Sequence, residues 1–280
     1  MKLGTGTISY LTPNLPELPE DEANGAIASI YEEIRYLGGV PMVALIFRHL
    51  ATLPGALEWT WDALAPAWRS GQLQESAWRI AKEPPIEPIA PISRPALALL
   101  GVDDTGRDEI ATVLAAYNRA NPENLLSVLC LLSLAAGRGA SRPYPSRPWI
   151  PPPAPGPLVA MGDVRSLSPD MAELLAKVGG PAPAGGVRVV QSLYRHFVHR
   201  PAFLALAVTL IRQRYDDGTL FAGASRVHEA MSRAAEEIVQ GLSSPPAPDP
   251  GIVPVCSRFG GTIIPGMIVA GRLLDEAMAK

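Results

Sequence analysis

Val43-Ala-Leu-Ile-Phe-Arg-His-Leu-Ala-Thr-Leu-Pro-Gly-Ala-Leu57 lies without a gap over Val190-Gln-Ser-Leu-Tyr-Arg-His-Phe-Val-His-Arg-Pro-Ala-Phe-Leu204. Arg48-His49 matches Arg195-His196, Pro54 matches Pro201, and Phe47 matches Tyr194. At the same offset Gly39-Val40 matches Gly186-Val187. Self-similarity held in register is the mark of a repeated supersecondary unit. Upstream, Ile30-Tyr-Glu-Glu-Ile-Arg35 and Met171-Ala-Glu-Leu-Leu-Ala-Lys177 both read as the end of a preceding amphipathic helix. The economical interpretation is two diverged copies in one chain, a pseudo-dimer, over residues 1–137 and 161–280.

Residues 138–160 join them. Prolines at 143, 145, 148, 151, 152, 153, 155 and 157 exclude both helix and sheet interior. A stiff, extended connector is expected there. The two halves should still form one helical body, because each has an apolar face too broad for its own few helices.

Inside each copy the period is helical. Over Ala26 to Leu37, residues Ile27, Ile30, Tyr31 and Ile34 share one face, with Glu32, Glu33 and Arg35 opposite. Pro41 and Pro54 read as first-turn prolines of the next two helices. Asp104 reads as the N-cap of a helix reaching Tyr117, and Asn121-Pro122-Glu123 as the start of another. In the second copy helices are expected near 169–178, 187–199, 201–215, 222–241 and 260–279. The best strand candidate, 185–190, has a repeat partner that reads as helix. The fold class is therefore all-α.

Composition narrows the function. The 280 residues are 48% hydrophobic and 18% charged, with a net charge of −3. Such a chain folds, and it carries no basic footprint for nucleic acid or membrane. No apolar stretch is expected to reach membrane-spanning length, and no signal peptide is read at the start. Cys130 and Cys256 match no metal or redox spacing and read as buried thiols of a cytoplasmic protein. Phosphate-loop, dinucleotide, nucleophile-elbow and zinc-protease signatures do not occur. His196 and His199 have a metal-compatible spacing without an accompanying carboxylate, so no metal is expected. The repeated Arg-His pairs have two readings. They either hydrogen-bond neighbouring chain, or face a cleft between the copies where arginine holds a carboxylate. The tryptophans at 59, 61, 68 and 78 read as packing.

Several blocks together resemble a known family. Tyr31-Glu-Glu-Ile-Arg35, Val40-Pro-Met-Val-Ala44, Arg48-His-Leu-Ala-Thr-Leu-Pro-Gly55, Gly101-Val-Asp-Asp104 and Tyr117-Asn-Arg-Ala-Asn-Pro122 are similar to the DehI-type 2-haloacid dehalogenases, in order and spacing, through about residue 135. The layout also resembles the wider AhpD-like helical superfamily. The resemblance implies an all-helical pseudo-dimer with a buried site between its halves. It implies hydrolysis of the carbon–halogen bond of short 2-haloalkanoic acids without cofactor. In that family a second-half aspartate activates water and a first-half asparagine helps to place it. The ligand would be a small-molecule acid, and a homodimer is the self-association to expect.

Carried over residue by residue, Asn121 matches the family's asparagine as the water-positioning group, and Asn118 its companion in substrate binding. The family's pocket aromatics fall near Met42 and Leu45, and its final-helix tyrosine near Pro265-Gly266-Met267. The aspartate does not carry over. Its stretch reads Val189-Val-Gln-Ser-Leu193, and no carboxylate occurs from Pro181 to Leu210. His196, or else His49, is then the candidate base, since imidazole titrates near neutrality. Asn121 before Pro122 also reads as a helix cap, which would commit its side chain to backbone. Two functions stay open: a hydrolase with a recruited base, and a non-catalytic relative holding a small acidic or apolar ligand. With the family's carboxylate missing, little or no halide release from 2-chloropropionate is expected.

Overall fold

The computed structural model describes residues 16–83, 86–140, 149–163, 166–178, 190–243 and 250–278. The first half contains α1 (Gly25–Gly38), α2 (Leu45–Leu50), α3 (Ala56–Arg69), α4 (Gln72–Lys82), α5 (Arg94–Leu99) and α6 (Asp104–Ala135). The second contains α7 (Pro169–Ala176), α8 (Ser192–Arg195), α9 (Pro201–Asp216), α10 (Thr219–Ile238), α11 (Ile252–Arg258) and α12 (Ile264–Met278). A 3-10 turn, His196–His199, follows α8, and a π turn, Phe259–Ile263, fuses α11 to α12. The described residues contain no strand, and the chain is all-α.

Both halves hold their Arg-His segment in the same way. The Leu18 N–H donates to the Arg48 carbonyl at 2.9 Å, and the Gly162 N–H to the Arg195 carbonyl at 2.9 Å. His49 Nδ1 meets the Pro16 carbonyl at 2.7 Å, and His196 Nδ1 the Val159 carbonyl at 2.5 Å. In each half an extended strap is thus pinned along a short helix by one backbone bond and one imidazole. The two halves share this pattern of bonds. These bonds favour the simpler account of the Arg-His pairs, with His196 a partial exception.

Helix boundaries depart from expectation where prolines were read as starts. Helix α2 begins at Leu45 and α3 at Ala56, so Pro41 and Pro54 lie in the turns before them. Gly55, at φ 69°, takes the left-handed cap of α3, a conformation that costs a residue without Cβ little. Asp103, not Asp104, caps α6, its Oδ1 accepting the Gly106 N–H at 2.8 Å. Helix α6 then runs through Asn121-Pro122-Glu123 without restarting. Pro122 has no N–H for the Asn118 carbonyl. Packing against α4, α10 and α12 nevertheless keeps the helix whole. In the second half the expected 187–199 helix starts at Ser192, and the 260–279 helix is the latter part of a run from Ile252. The strand candidate falls, except for Val190, outside the described residues.

One hydrophobic core takes residues from both halves. Polar ties reinforce it across the seam: Arg200 donates to Glu109 on α6 at 2.6 Å, and Ser133 donates to Glu236 on α10 at 3.0 Å. Near Trp149 the connector lies against the first half. The Trp149 indole donates to the Leu37 carbonyl at 2.9 Å, and its ring sits 5.9 Å from that of Trp78. Gly71 lies beneath it, where a Cβ would overlap the Trp149 ring. Trp61 and Trp68 pack at 5.6 Å, as their shared face predicts.

One stretch, Ile252–Met278, is long and apolar enough to cross a membrane, contrary to expectation. It packs against α6 and α10 in the interior. Both thiols are buried.

Limited proteolysis should cut between residues 138 and 160 and leave the halves together on a sizing column. Halves that separate without denaturant would contradict the single core.

Candidate functional site

A cavity of ≈450 Å³ opens between the halves. Helix α6 sets one wall by its period: Tyr117, Ala120, Asn121 and Asn124 follow i, i+3, i+4, i+7 and face it together. The other walls come from 41–46, the strap at 157–161, the start of α8, and the π turn with the first turn of α12. Met42, Leu45, Asn121 and His196 therefore meet in one place. Asn118 does not join them. It lies on the neighbouring face of α6 with Ala115 and Arg119, lining a second cavity of ≈560 Å³. There its amide donates to the Gly271 carbonyl at 3.3 Å. His49, buried behind its strap, does not line the first cavity either.

His196 is held at both ring nitrogens. Nδ1 faces a carbonyl, which can only accept, so Nδ1 carries the proton. Nε2 is left with its lone pair, and the Tyr117 hydroxyl donates to it at 3.1 Å. Burial pushes the His196 pKa below its ordinary 6.5; the Val159 bond opposes this, and Arg195 and His199 add to it. The ring is therefore neutral at pH 7. Burial likewise raises Tyr117 to about 12, against the fields of Arg48 and Arg195 and a hydrogen bond with Ser192. A neutral phenol backed by a neutral imidazole can pass on a proton without either becoming charged beforehand.

Asn121 differs from its reading as a cap. Because α6 is continuous there, its side chain owes nothing to the backbone of a helix start. Its Nδ2 is buried without a hydrogen-bond partner. An unpaired buried donor of this kind costs about 1–3 kcal/mol, and an acceptor placed in the cavity would remove that cost. Gln191, the N-cap residue of α8, also lines the cavity with a buried, unpartnered Oε1.

Charged groups at the wall are already committed. Arg48 forks onto Glu17, with Nε at 2.8 Å, and its Nη1 donates to the Val43 carbonyl at 2.7 Å. Glu20 pairs with Arg35 and accepts the Val43 N–H at 2.8 Å. It thereby ties down the loop that carries Met42 and Leu45. Sequence reasoning missed Tyr117, Glu20 and Gln191. Tyr117 stood four residues before Asn121, one helical turn away on the same face, which was the available signal. Glu20 reaches the site only through tertiary packing. Of the 189–193 stretch, Gln191 and Ser192 face the cavity and Leu193 is core; Val189 lies outside the described residues.

No family model matches the chain. A configuration-inverting 2-haloacid dehalogenase of Alcaligenes xylosoxydans xylosoxydans is 28% identical over 243 residues, 81% of this chain and 77% of that protein. Among solved structures, a D-2-haloacid dehalogenase mutant superposes with TM-score 0.73 over 94% of this chain and 96% of its own, at 17% identity. A mutant of such an enzyme in complex with D-2-CPA gives 0.68, and an enzyme in complex with L-LA gives 0.66; each match covers 94% of both chains at 17% identity. At that identity the structures show a shared fold. The sequence likeness, at 28% identity, is to a 2-haloacid dehalogenase.

Two residues beyond Asn121 on α6, Glu123 is buried, and that burial lifts its pKa well above 4.5, with Arg119 opposing. Unfolded, the carboxyl ionises near its ordinary value; folded, it keeps its proton to higher pH. Stability is therefore lost as pH rises from 4.5 toward the folded value. The melting temperature of Glu123→Gln should match the parent near pH 4 and exceed it increasingly toward pH 8. A constant difference across that range would show that Glu123 ionises normally.

Proposed function

We propose that the cavity holds a 2-haloalkanoic acid and that the protein hydrolyses its carbon–halogen bond by direct attack of water on the α-carbon. The observation that carries this reading is the Tyr117–His196 pair, set beside the unpaired amide of Asn121. The sequence relative is named as configuration-inverting, which is the stereochemical outcome of one direct displacement.

The water oxygen bonds to the α-carbon as halide leaves with the bonding electrons. The water proton passes to the Tyr117 oxygen while the Tyr117 proton passes to His196 Nε2. The products are a 2-hydroxy acid of inverted configuration, halide, and an imidazolium that returns its proton to solvent. The Val159 carbonyl fixes the tautomer needed for this and steadies the imidazolium once formed. Asn121 offers both a donor and an acceptor, which together orient a water. Met42 and Leu45 pack against the apolar part of the substrate. His49 has no part, because its ring faces a strap and not the cavity. Cytoplasmic residence belongs to the same reading, supported by two free thiols.

A second reading, a non-catalytic pocket for the same acids, rests on Gln191 and Ser192 standing where the family's carboxylate is expected. It predicts binding without halide release.

Halide release from 2-bromobutyrate tests both. Tyr117→Phe should lower kcat by about 10²–10⁴-fold, the usual worth of general base catalysis, with a far smaller change in KM. The parent rate should stay level as pH falls through 6.5 and decline only below it, because the His196 pKa is lowered. Gln191→Asp should raise kcat by restoring a carboxylate at the wall. An unchanged rate in Tyr117→Phe, with loss in Glu20→Gln, would move the base to Glu20 and overturn the assignment.

A further inference from the structure

The cavity is too large and too one-sided for the smallest acids. A water occupies about 30 Å³ of liquid, so ≈450 Å³ admits roughly fifteen non-hydrogen atoms. The 2-chloropropionate ion has six.

The excess room has a definite lining. Aligning Asn121-Pro122 on α6 with Ile264-Pro265 on α12 sets Ala120 against Ile263, Asn121 against Ile264 and Asn124 against Met267. All six line the cavity. The repeat alignment likewise sets Ala44 and Leu45 against Gln191 and Ser192, and these four also line it. At most of these matched positions one copy supplies an amide or hydroxyl and the other an aliphatic group. The polar wall, Tyr117, Asn121, Asn124, Gln191, Ser192 and His196, holds every group that the proposed reaction uses. The apolar wall is Met42, Leu45, Phe259, Ile263, Ile264 and Met267; Met42 and Leu45 meet the apolar part of even a short acid, and the other four take no part in the bond changes. Those four face a volume that a short acid leaves empty.

We infer that the apolar wall is a tail subsite, and that the preferred substrates are 2-halo acids bearing an alkyl or aryl tail of about four to eight carbons beyond the α-carbon. The inference rests on the proposed function, since it extends the same site. The π turn shapes the subsite. It lies between α11 and α12, and Phe259 and Ile263, its first and last residues, both face the cavity. Gly260 between them lies tight against Val128 of α6, where a Cβ would come within 2.9 Å of a methyl group. Flexible Met42 and Met267 let the wall conform to tails of different shape.

The experiment is a homologous series, 2-bromopropionate, 2-bromobutyrate, 2-bromohexanoate and 2-bromooctanoate, followed by halide release. It is paired with calorimetric binding of the unreactive 2-hydroxy acids of the same lengths. Each added methylene should raise kcat/KM and affinity about fourfold, the worth of one buried CH₂. Met267→Phe and Ile264→Phe, which fill the subsite, should collapse the octanoate-to-propionate ratio in both measurements. Asn118→Ala, in the second cavity, should leave that ratio as in the parent. A flat or falling series with measurable binding of the short acid would overturn the tail subsite and leave the proposed function standing. Failure of every acid to bind would overturn both.

Discussion

The ring of His196 is the junction on which this site depends. One nitrogen is saturated by the Val159 carbonyl of the strap that closes the cavity, and the other receives the Tyr117 hydroxyl from the central helix. Three segments far apart in sequence are therefore aligned on a single imidazole, and its tautomer follows from chemistry alone, since a carbonyl cannot donate. The first-half counterpart, His49, makes the same strap contact without reaching the cavity. Of the two histidines in this setting, one is thus structural and the other both structural and chemically placed.

A similar contrast runs along the long helices. The faces of α6 and α12 that meet the cavity sit around matched prolines, Pro122 and Pro265, where a helix has a backbone carbonyl to spare. On α6 the neighbouring positions hold amides and a phenol. On α12 they hold aliphatic groups, displaced by a π turn of the kind that often accompanies functional sites. The lining is not symmetric: both halves supply polar groups, while most of the apolar wall comes from the second half.

Much of this was legible in the sequence, for identifiable reasons. The helical class followed from periodicity, and the Arg-His register picked out the two segments that the straps pin. Asn121, His196, Met42 and Leu45 were named, and they converge. What failed were readings in which a local signal was overridden by packing. Pro122 looked like a first helical turn, yet contact with α4, α10 and α12 carries α6 straight past it. Asn118 was paired with Asn121 by family likeness, but the seam between two cavities passes between them. Tyr117 was missed because its partner is 79 residues away in the chain, and only the fold brings them to hydrogen-bonding distance.

The central claim is that water itself displaces the halide and that no protein group becomes covalently attached. The most direct measurement is a single turnover of one resolved enantiomer of 2-bromobutyrate in ¹⁸O-water, with the 2-hydroxybutyrate analysed for configuration and label. The account predicts complete inversion with ¹⁸O in the product hydroxyl. Retained configuration, or a first-turnover product whose hydroxyl oxygen came from a protein side chain, would contradict it.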